Sequence, residues 1–430
     1  MADRVTVIGW DGTPPSPAAR AALDAATLVA GAPRHLDLTE VPEAAERVPL
    51  GSVDRAVERI AAHRGSAVVF SDGDPGFFGV LRALRDPRHG LEVEVIPAVS
   101  AVSLAFARAG MPWEDARVVT ANRRTLRRAV NVCRAHPKVA VLTSPGAGPA
   151  ELALLLGEEL RTFVICEAPG TEGERITVLT SDRVARHRWT DPNVTIVVGA
   201  PGALSGPPDT PGGSGVPGGA GAPGEGVWLA GREAGAGALP RGWGLPPAVY
   251  GESPARTAPG DGSSGEPADD PHLRAAQLAA LGPGPGDLVW DVGGGSGWTA
   301  LEAARQGAGV IVVDRDARTC ARISATARRL GVPLRVVHGA APQALADLPE
   351  PDVVRIGGGG PRTLLACVDR RPQRVVGHAL TRDGAEAAGR VLSGAGYGVR
   401  CALLQTVELE TSSWTEQGRN VAFLLVGSRM

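Results

Sequence analysis

Lysine is all but missing from this chain: of its 44 basic residues only Lys138 is lysine, and the rest are arginine. Basic and acidic residues nearly cancel, leaving a net charge of -2, and aromatics make up only 4% of the residues. Without a basic, aromatic-studded face the chain offers little to RNA, and near-neutrality gives no general attraction to an anionic membrane. Cysteine is scarce and scattered. Cys133, Cys166, Cys320, Cys367 and Cys401 are odd in number and form no Cys-x-x-Cys pair, which argues against a disulfide framework or a zinc site. No apolar run approaches 18 residues, so no membrane span is expected. The chain enters Val5-Thr6-Val7-Ile8 with neither a basic nor an apolar leader before it. We expect a soluble, cytoplasmic protein with no metal centre.

What is present divides into three parts. A chain of 430 residues exceeds one ordinary domain, and an apolar share of 43% is enough for two cores. Residues 1–200 alternate short apolar strands (Val5–Ile8, Ala67–Phe70, Val93–Ile96, Val139–Leu142, Phe163–Ile165, Thr195–Val198) with helical patterns, which argues an α/β unit. Ser16-Pro17 predicts a helix start, cap followed by proline. Residues 201–270 change character: Gly and Pro fill 31 of these 70 positions, too little apolar surface to offset ordering entropy, so a linker is expected. One island within it, Gly242–Tyr250, has aromatic anchors suited to packing on a neighbouring domain. Residues 271–430 resume strand and helix alternation and end in an expected antiparallel pair, Val399–Glu408 with Asn420–Val426.

The last part is organised around Asp291-Val292-Gly293-Gly294-Gly295-Ser296-Gly297, between the apolar run Leu288-Val289-Trp290 and a helical pattern from Trp298. Glycines between a strand and a helix let backbone crowd a ligand without side-chain clash. The next apolar run, Val310–Val313, ends at Asp314, where an acid can accept hydrogen bonds from ribose hydroxyls. The spacing departs from the nicotinamide fingerprint and resembles the loop of class I S-adenosylmethionine (SAM) methyltransferases. In the first part Gly9, Asp72-Gly73-Asp74-Pro75 and Pro97-Ala98-Val99-Ser100-Ala101 resemble the tetrapyrrole (corrin/porphyrin) methylase superfamily, which holds SAM between two α/β subdomains.

Together the halves resemble the fused, decarboxylating precorrin methylases of cobalamin biosynthesis. There a carbon-5 methylase (here 1–200) is joined to a class I domain (here 271–430) that methylates carbon 15 and removes a carboxylate. The fold class implied is α/β throughout: a tetrapyrrole-methylase fold of two subdomains linked to a Rossmann-like domain. The activity implied is conversion of precorrin-6B to precorrin-8 with SAM as cofactor, and a homo-oligomer is expected. The SAM residues carried over are Gly9, Asp72, Gly73, Asp74, Val99, Ser100 and Ala101 in the first half. In the second they are Asp291, Gly293, Gly295 and Gly297 for the methionine end, Asp314 for the ribose, and Gly339 with Ala340 beside the adenine.

Arg274 and Arg355 are candidates for gripping the carboxylates of a precorrin, since arginine binds them bidentately. His378 is a candidate proton donor or acceptor after decarboxylation. The chain also departs from the family. Asp269-Asp270 precede the first helix where a Thr-Lys pair is usual, Asp314 replaces glutamate, Arg355 replaces an apolar aromatic, and His378 replaces asparagine. Two alternatives stay open: a methylase of another tetrapyrrole, and a C-terminal domain that binds SAM but only stabilises the assembly.

Overall fold

The computed structural model describes residues 4–51, 53–199, 242–251 and 270–429. Most of the linker expected at 201–270 therefore lies outside the described residues, as does Asp269.

Three sheets carry the fold. The first uses β1 (Arg4–Trp10), β2 (Leu28–Gly31), β3 (Glu46–Pro49), β4 (Ala67–Asp72) and β5 (Glu92–Ile96). Its order is β3-β2-β4-β1-β5 and every pairing is parallel. Ala67-Val68-Val69-Phe70 is buried throughout, as a central parallel strand covered on both faces should be. All-parallel pairing also brings the ends of β1, β4 and β5 to one edge, so loops far apart in sequence meet there. Ser16 caps the first helix, Pro17–Asp24, by accepting a bond from the Ala19 amide at 3.2 Å.

The second sheet contains β6 (Arg117–Thr120), β7 (Lys138–Leu142), β8 (Thr162–Glu167), β9 (Arg175–Thr180) and β10 (Asn193–Val198), ordered β6-β7-β10-β8-β9. Only β6 and β7 run parallel. These two sheets are the paired α/β subdomains expected from the sequence.

The third sheet has seven strands: β11 (Leu288–Val292), β12 (Gly309–Asp314), β13 (Arg335–His338), β14 (Val353–Ile356), β15 (Arg374–Ala379), β16 (Tyr397–Glu410) and β17 (Thr415–Arg429). Its order, β13-β12-β11-β14-β15-β17-β16, is parallel up to β15 and closes with an antiparallel hairpin. The strand order reverses beside β11, which places its following loop at the switch point where open α/β sheets bind ligands. Helix Pro271–Leu281 and helix Trp298–Arg305 cover one face around Leu278, Leu281, Trp298 and Leu301.

The island at 242–251 packs as expected: Leu245 and Tyr250 are buried in the core of the third sheet. The halves also touch directly. Helix Leu126–Ala135 packs on β12, and its fully buried Asn131 donates to the Gly286 carbonyl (3.1 Å) and to Asp352 (3.2 Å).

Candidate functional site

Two sites lie at strand ends. The first is a cleft of ≈ 560 Å³ between the first two sheets. Trp10, Asp11, Asp72, Gly73, Val99 and Ala101 line one wall, and Leu142, Thr143, Ala168 and Asn193 the other. The first wall needs glycine. A Cβ on Gly9 would sit 2.6 Å from the Gly73 carbonyl oxygen and 2.7 Å from the Ala98 nitrogen, so three loops converge only because it is absent. Asp11 ties them further, accepting from the Val99 amide (3.3 Å) and from Thr13.

Of the residues expected here, Asp72, Gly73, Val99 and Ala101 line the cleft. Gly9 packs behind it. Ser100 caps helix Ala101–Ala109 through the Ser103 amide at 3.0 Å, and Asp74 accepts from the Gly76 amide at 2.8 Å. Both therefore shape the loops. Asp72 is bound to two residues that sequence reasoning missed, Arg34 and the buried His35, whose Nε2 lies 2.9 Å away. Burial opposes ionisation of Asp72, but hydrogen bonds from His35 and Arg34 outweigh it and hold the carboxyl below its usual range.

The second site is the glycine loop after β11. Gly293, Gly295 and Gly297 all take positive φ (70°, 54° and 77°). A Cβ on Gly295 would meet nothing within 4 Å, so this part of the loop faces open space. Asp314 ends β12 beside it, accepting from the Gly295 amide (3.3 Å) and the Asp316 amide (2.9 Å). The Gly339 amide donates to the Asp314 backbone carbonyl at 2.8 Å, and exposed Ala340 follows. Asp291, Gly293, Gly295, Gly297, Asp314 and Gly339 thus gather at one end of the sheet.

Below the loop lies a buried ion pair. Asp291 and Arg355 are register partners on β11 and β14, and the Arg355 Nη1 donates to Asp291 Oδ1 at 2.9 Å and to the Gly293 carbonyl at 3.2 Å. Burial pushes the Asp291 carboxyl upward while Arg355 opposes that shift. Asp291 Oδ2 and Arg355 Nε are both buried with no protein partner.

The arginines correct the sequence reading. Arg355 is 2% exposed and committed to Asp291, so the edge it presents to a substrate is not a free bidentate fork. Arg274 is 1% exposed and further from any substrate role. Its Nε donates to Glu302 at 2.9 Å, its Nη2 donates to the Leu245 carbonyl, and its guanidinium lies over the Tyr250 and Trp298 rings. Glu302 also accepts from the Gly244 and Leu245 amides and from the Tyr250 hydroxyl (2.6 Å). This cluster fastens segment 242–251 to the domain. Asp270, in the segment without the Thr-Lys pair, caps helix Pro271–Leu281 through the His272 amide and accepts from Thr406.

His378, on β15, is half-buried and lines a second, smaller cavity of ≈ 260 Å³. Its Nδ1 lies 3.2 Å from the amide nitrogen of Gln277, which is 1% exposed. Burial, with Arg355 nearby, pushes the imidazole pKa down to about 4. It is therefore neutral at pH 7, and of the two roles expected of it, proton donor or acceptor, the neutral ring suits the acceptor.

The family described as tetrapyrrole (corrin/porphyrin) methylases matches residues 3–185, and the precorrin methyltransferase domain matches residues 269–411. A precorrin-6Y C(5,15)-methyltransferase [decarboxylating] from Sinorhizobium sp is 32% identical over 377 residues, 83% of this chain and 79% of its own. The chain belongs to the family of decarboxylating precorrin-6Y C5,15-methyltransferases.

Proteins that resemble only part of a family member also match. A cobalt-precorrin-7 C(5)-methyltransferase of Salmonella typhimurium is 36% identical over 37% of this chain and 81% of its own. A probable cobalt-precorrin-6B C(15)-methyltransferase (decarboxylating) of Pyrobaculum calidifontis is 33% identical over 29% of this chain and 69% of its own. The chain is thus a methyltransferase of precorrin chemistry. Among the described residues no helix is long and apolar enough to cross a membrane, and no cluster of His, Cys, Asp and Glu could hold a metal.

Proposed function

We propose that this chain methylates a precorrin at carbons 5 and 15 at two separate SAM sites, and removes the carboxylate of an acetate side chain at the second. The product would be precorrin-8, made from precorrin-6B. The observation that carries the reading is the pair of unlike strand-end sites on one chain, each built around glycines at positions where a side chain could not fit. SAM, when bound, supplies an electrophilic methyl on a sulfonium.

The residues fit that cofactor. The first cleft falls inside the range of about 300–1,000 Å³ usual for small-molecule sites. At the second site the orphaned Asp291 Oδ2 and the open Gly295 leave polar and steric room for an aminoacyl group, and Asp314, beside Gly295 at the end of β12, would take the ribose. Transfer of a methyl to carbon needs donor and nucleophile aligned more than it needs a strong base. Asp72, Gly73, Val99 and Ala101 would align the first donor, with Gly9, Asp74 and Ser100 shaping their loops. Gly293, Gly295, Gly297, Asp314, Gly339 and Ala340 would align the second. Arg355 would hold Asp291 in place, and His378 would meet the substrate as a neutral group.

The expected homo-oligomer is part of the same proposal. Leu403, Val407 and Val421 are exposed on one face of the β16–β17 hairpin, and light scattering of the purified chain would read its mass.

The reaction is tested by incubating the protein with SAM and precorrin-6B and weighing the product by mass spectrometry. Gain of two methyls with loss of one carbon dioxide is expected. One methyl with the carboxylate retained would instead favour a C-terminal domain that only binds.

A further inference from the structure

The cavity beside His378 is lined by none of the residues proposed above to hold SAM, yet it borders the glycine loop. Gly358 lines it, and a Cβ on Gly293 would sit 3.0 Å from the Gly358 nitrogen. Most of its wall comes from helix Gly360–Val368, β15 and helix Arg382–Gly394, notably Leu364, Val375, Ala388 and Leu392, with Ile356 of β14 and Leu425 of β17. Among the described residues no arginine or lysine lines it, in a chain with 44 basic residues, and His378 is the only titratable lining group. At ≈ 260 Å³ it is too small for a macrocycle. It has ample room for one acetate arm, which fills on the order of two or three water volumes of about 30 Å³ each.

We propose that this cavity receives the acetate side chain that is lost, and that Gln277 is the positioning residue that sets the orientation of His378 at its mouth. The proposal rests on the decarboxylating reading above. The Gln277 amide nitrogen lies 3.2 Å from His378 Nδ1, and when it donates there the imidazole proton sits on Nε2. A neutral Nε2–H orients a carboxylate without neutralising it.

The chemistry needs that combination. The bond between the acetate methylene and its carboxyl carbon breaks, its electron pair moves into the protonated, conjugated pyrrole ring, and carbon dioxide leaves. A solvent proton then reaches the methylene carbon, which becomes a methyl, and nothing is oxidised or reduced. Charge localised on the carboxylate at the start is spread over the ring in the transition state. A wall lined by apolar groups, with nearby Arg355 already paired to Asp291, therefore favours the transition state over the bound acid, whereas an arginine free to grip the carboxylate would hold the starting charge in place.

Two substitutions test this, Ala388→Leu to fill the cavity and His378→Phe to remove the neutral donor at similar volume. Carbon dioxide release and methyl count are followed by mass spectrometry, with carbon-5 methylation and SAM binding by titration as controls for folding. With both controls intact, each variant should release carbon dioxide on the order of 100-fold more slowly, while Ala388→Ser keeps the wild-type rate. Gln277→Leu should slow the same step by lowering kcat with little change in KM. Wild-type release rates in Ala388→Leu and His378→Phe would overturn the assignment. A wild-type protein that adds methyls but releases no carbon dioxide would overturn the decarboxylating reading itself.

Discussion

Charged residues here divide by whether the chain already uses them. Arg274 and Glu302 lie 2.9 Å apart with both side chains fully buried, so removing one partner strands the other charge without water. Arg274→Ala should lower stability by about 3–5 kcal/mol, read from urea unfolding of the full chain. Asp314 contrasts with it, because its carboxylate is half-buried and accepts from two loop amides. Asp314→Ala should weaken SAM binding at the second site and abolish carbon-15 methylation while carbon-5 methylation continues, which product mass shows directly. His378 adds a pH dependence. Its pKa falls from 6.5 to about 4 on folding, so between those values the unfolded chain binds the proton and the folded one does not. Stability should drop as pH falls from 6.5 through 4 and level off below. The His378→Asn variant should lose that part of the slope in a pH series of melting curves. The sequence offered all three residues as candidates. It could not show that a buried acid 28 positions away had claimed Arg274, because that pairing joins two helices whose packing is set by the tertiary fold.

At the scale of elements, central strands were legible and edges were not. Ala67–Phe70 and Val310–Val313 are continuous apolar runs because both faces are covered. β3 and β9 sit at sheet edges, their side chains mostly exposed or half-buried, and carry no such run, while β2 is a four-residue piece inside an alanine-rich stretch. Missing β2 hid Arg34 and His35, which follow it and hold Asp72. The glycine loop was legible for a stated reason: its glycines occupy a conformation that other residues resist. Gly297 has a φ of 77°, and a Cβ there would lie 2.6 Å from Ile323 Cγ1. Gly297→Ala should cost about 1–3 kcal/mol and weaken SAM binding at the second site, measured by urea midpoint and by titration.

Across the whole molecule, the change from strand–helix alternation to a Gly/Pro-rich stretch and back announced two α/β units, and the structure supplies their three sheets. It gave no sign of how they dock. Asn131 looks like any polar residue in a helical pattern, yet it is fully buried and joins the Gly286 carbonyl and Asp352 across the contact between halves. Asn131→Leu takes the side-chain donor from the Gly286 carbonyl and one of the bonds to Asp352, which keeps the Leu288 amide and Arg127, and should cost about 1–3 kcal/mol, with calorimetry resolving two transitions in the variant where the wild type shows better-coupled melting. The account as a whole stands on two independent cofactor sites. Calorimetric titration of S-adenosylhomocysteine into the full chain tests that most directly. Two molecules bound per chain, falling to one in Asp314→Ala, is the predicted result. A wild-type stoichiometry of one would contradict it.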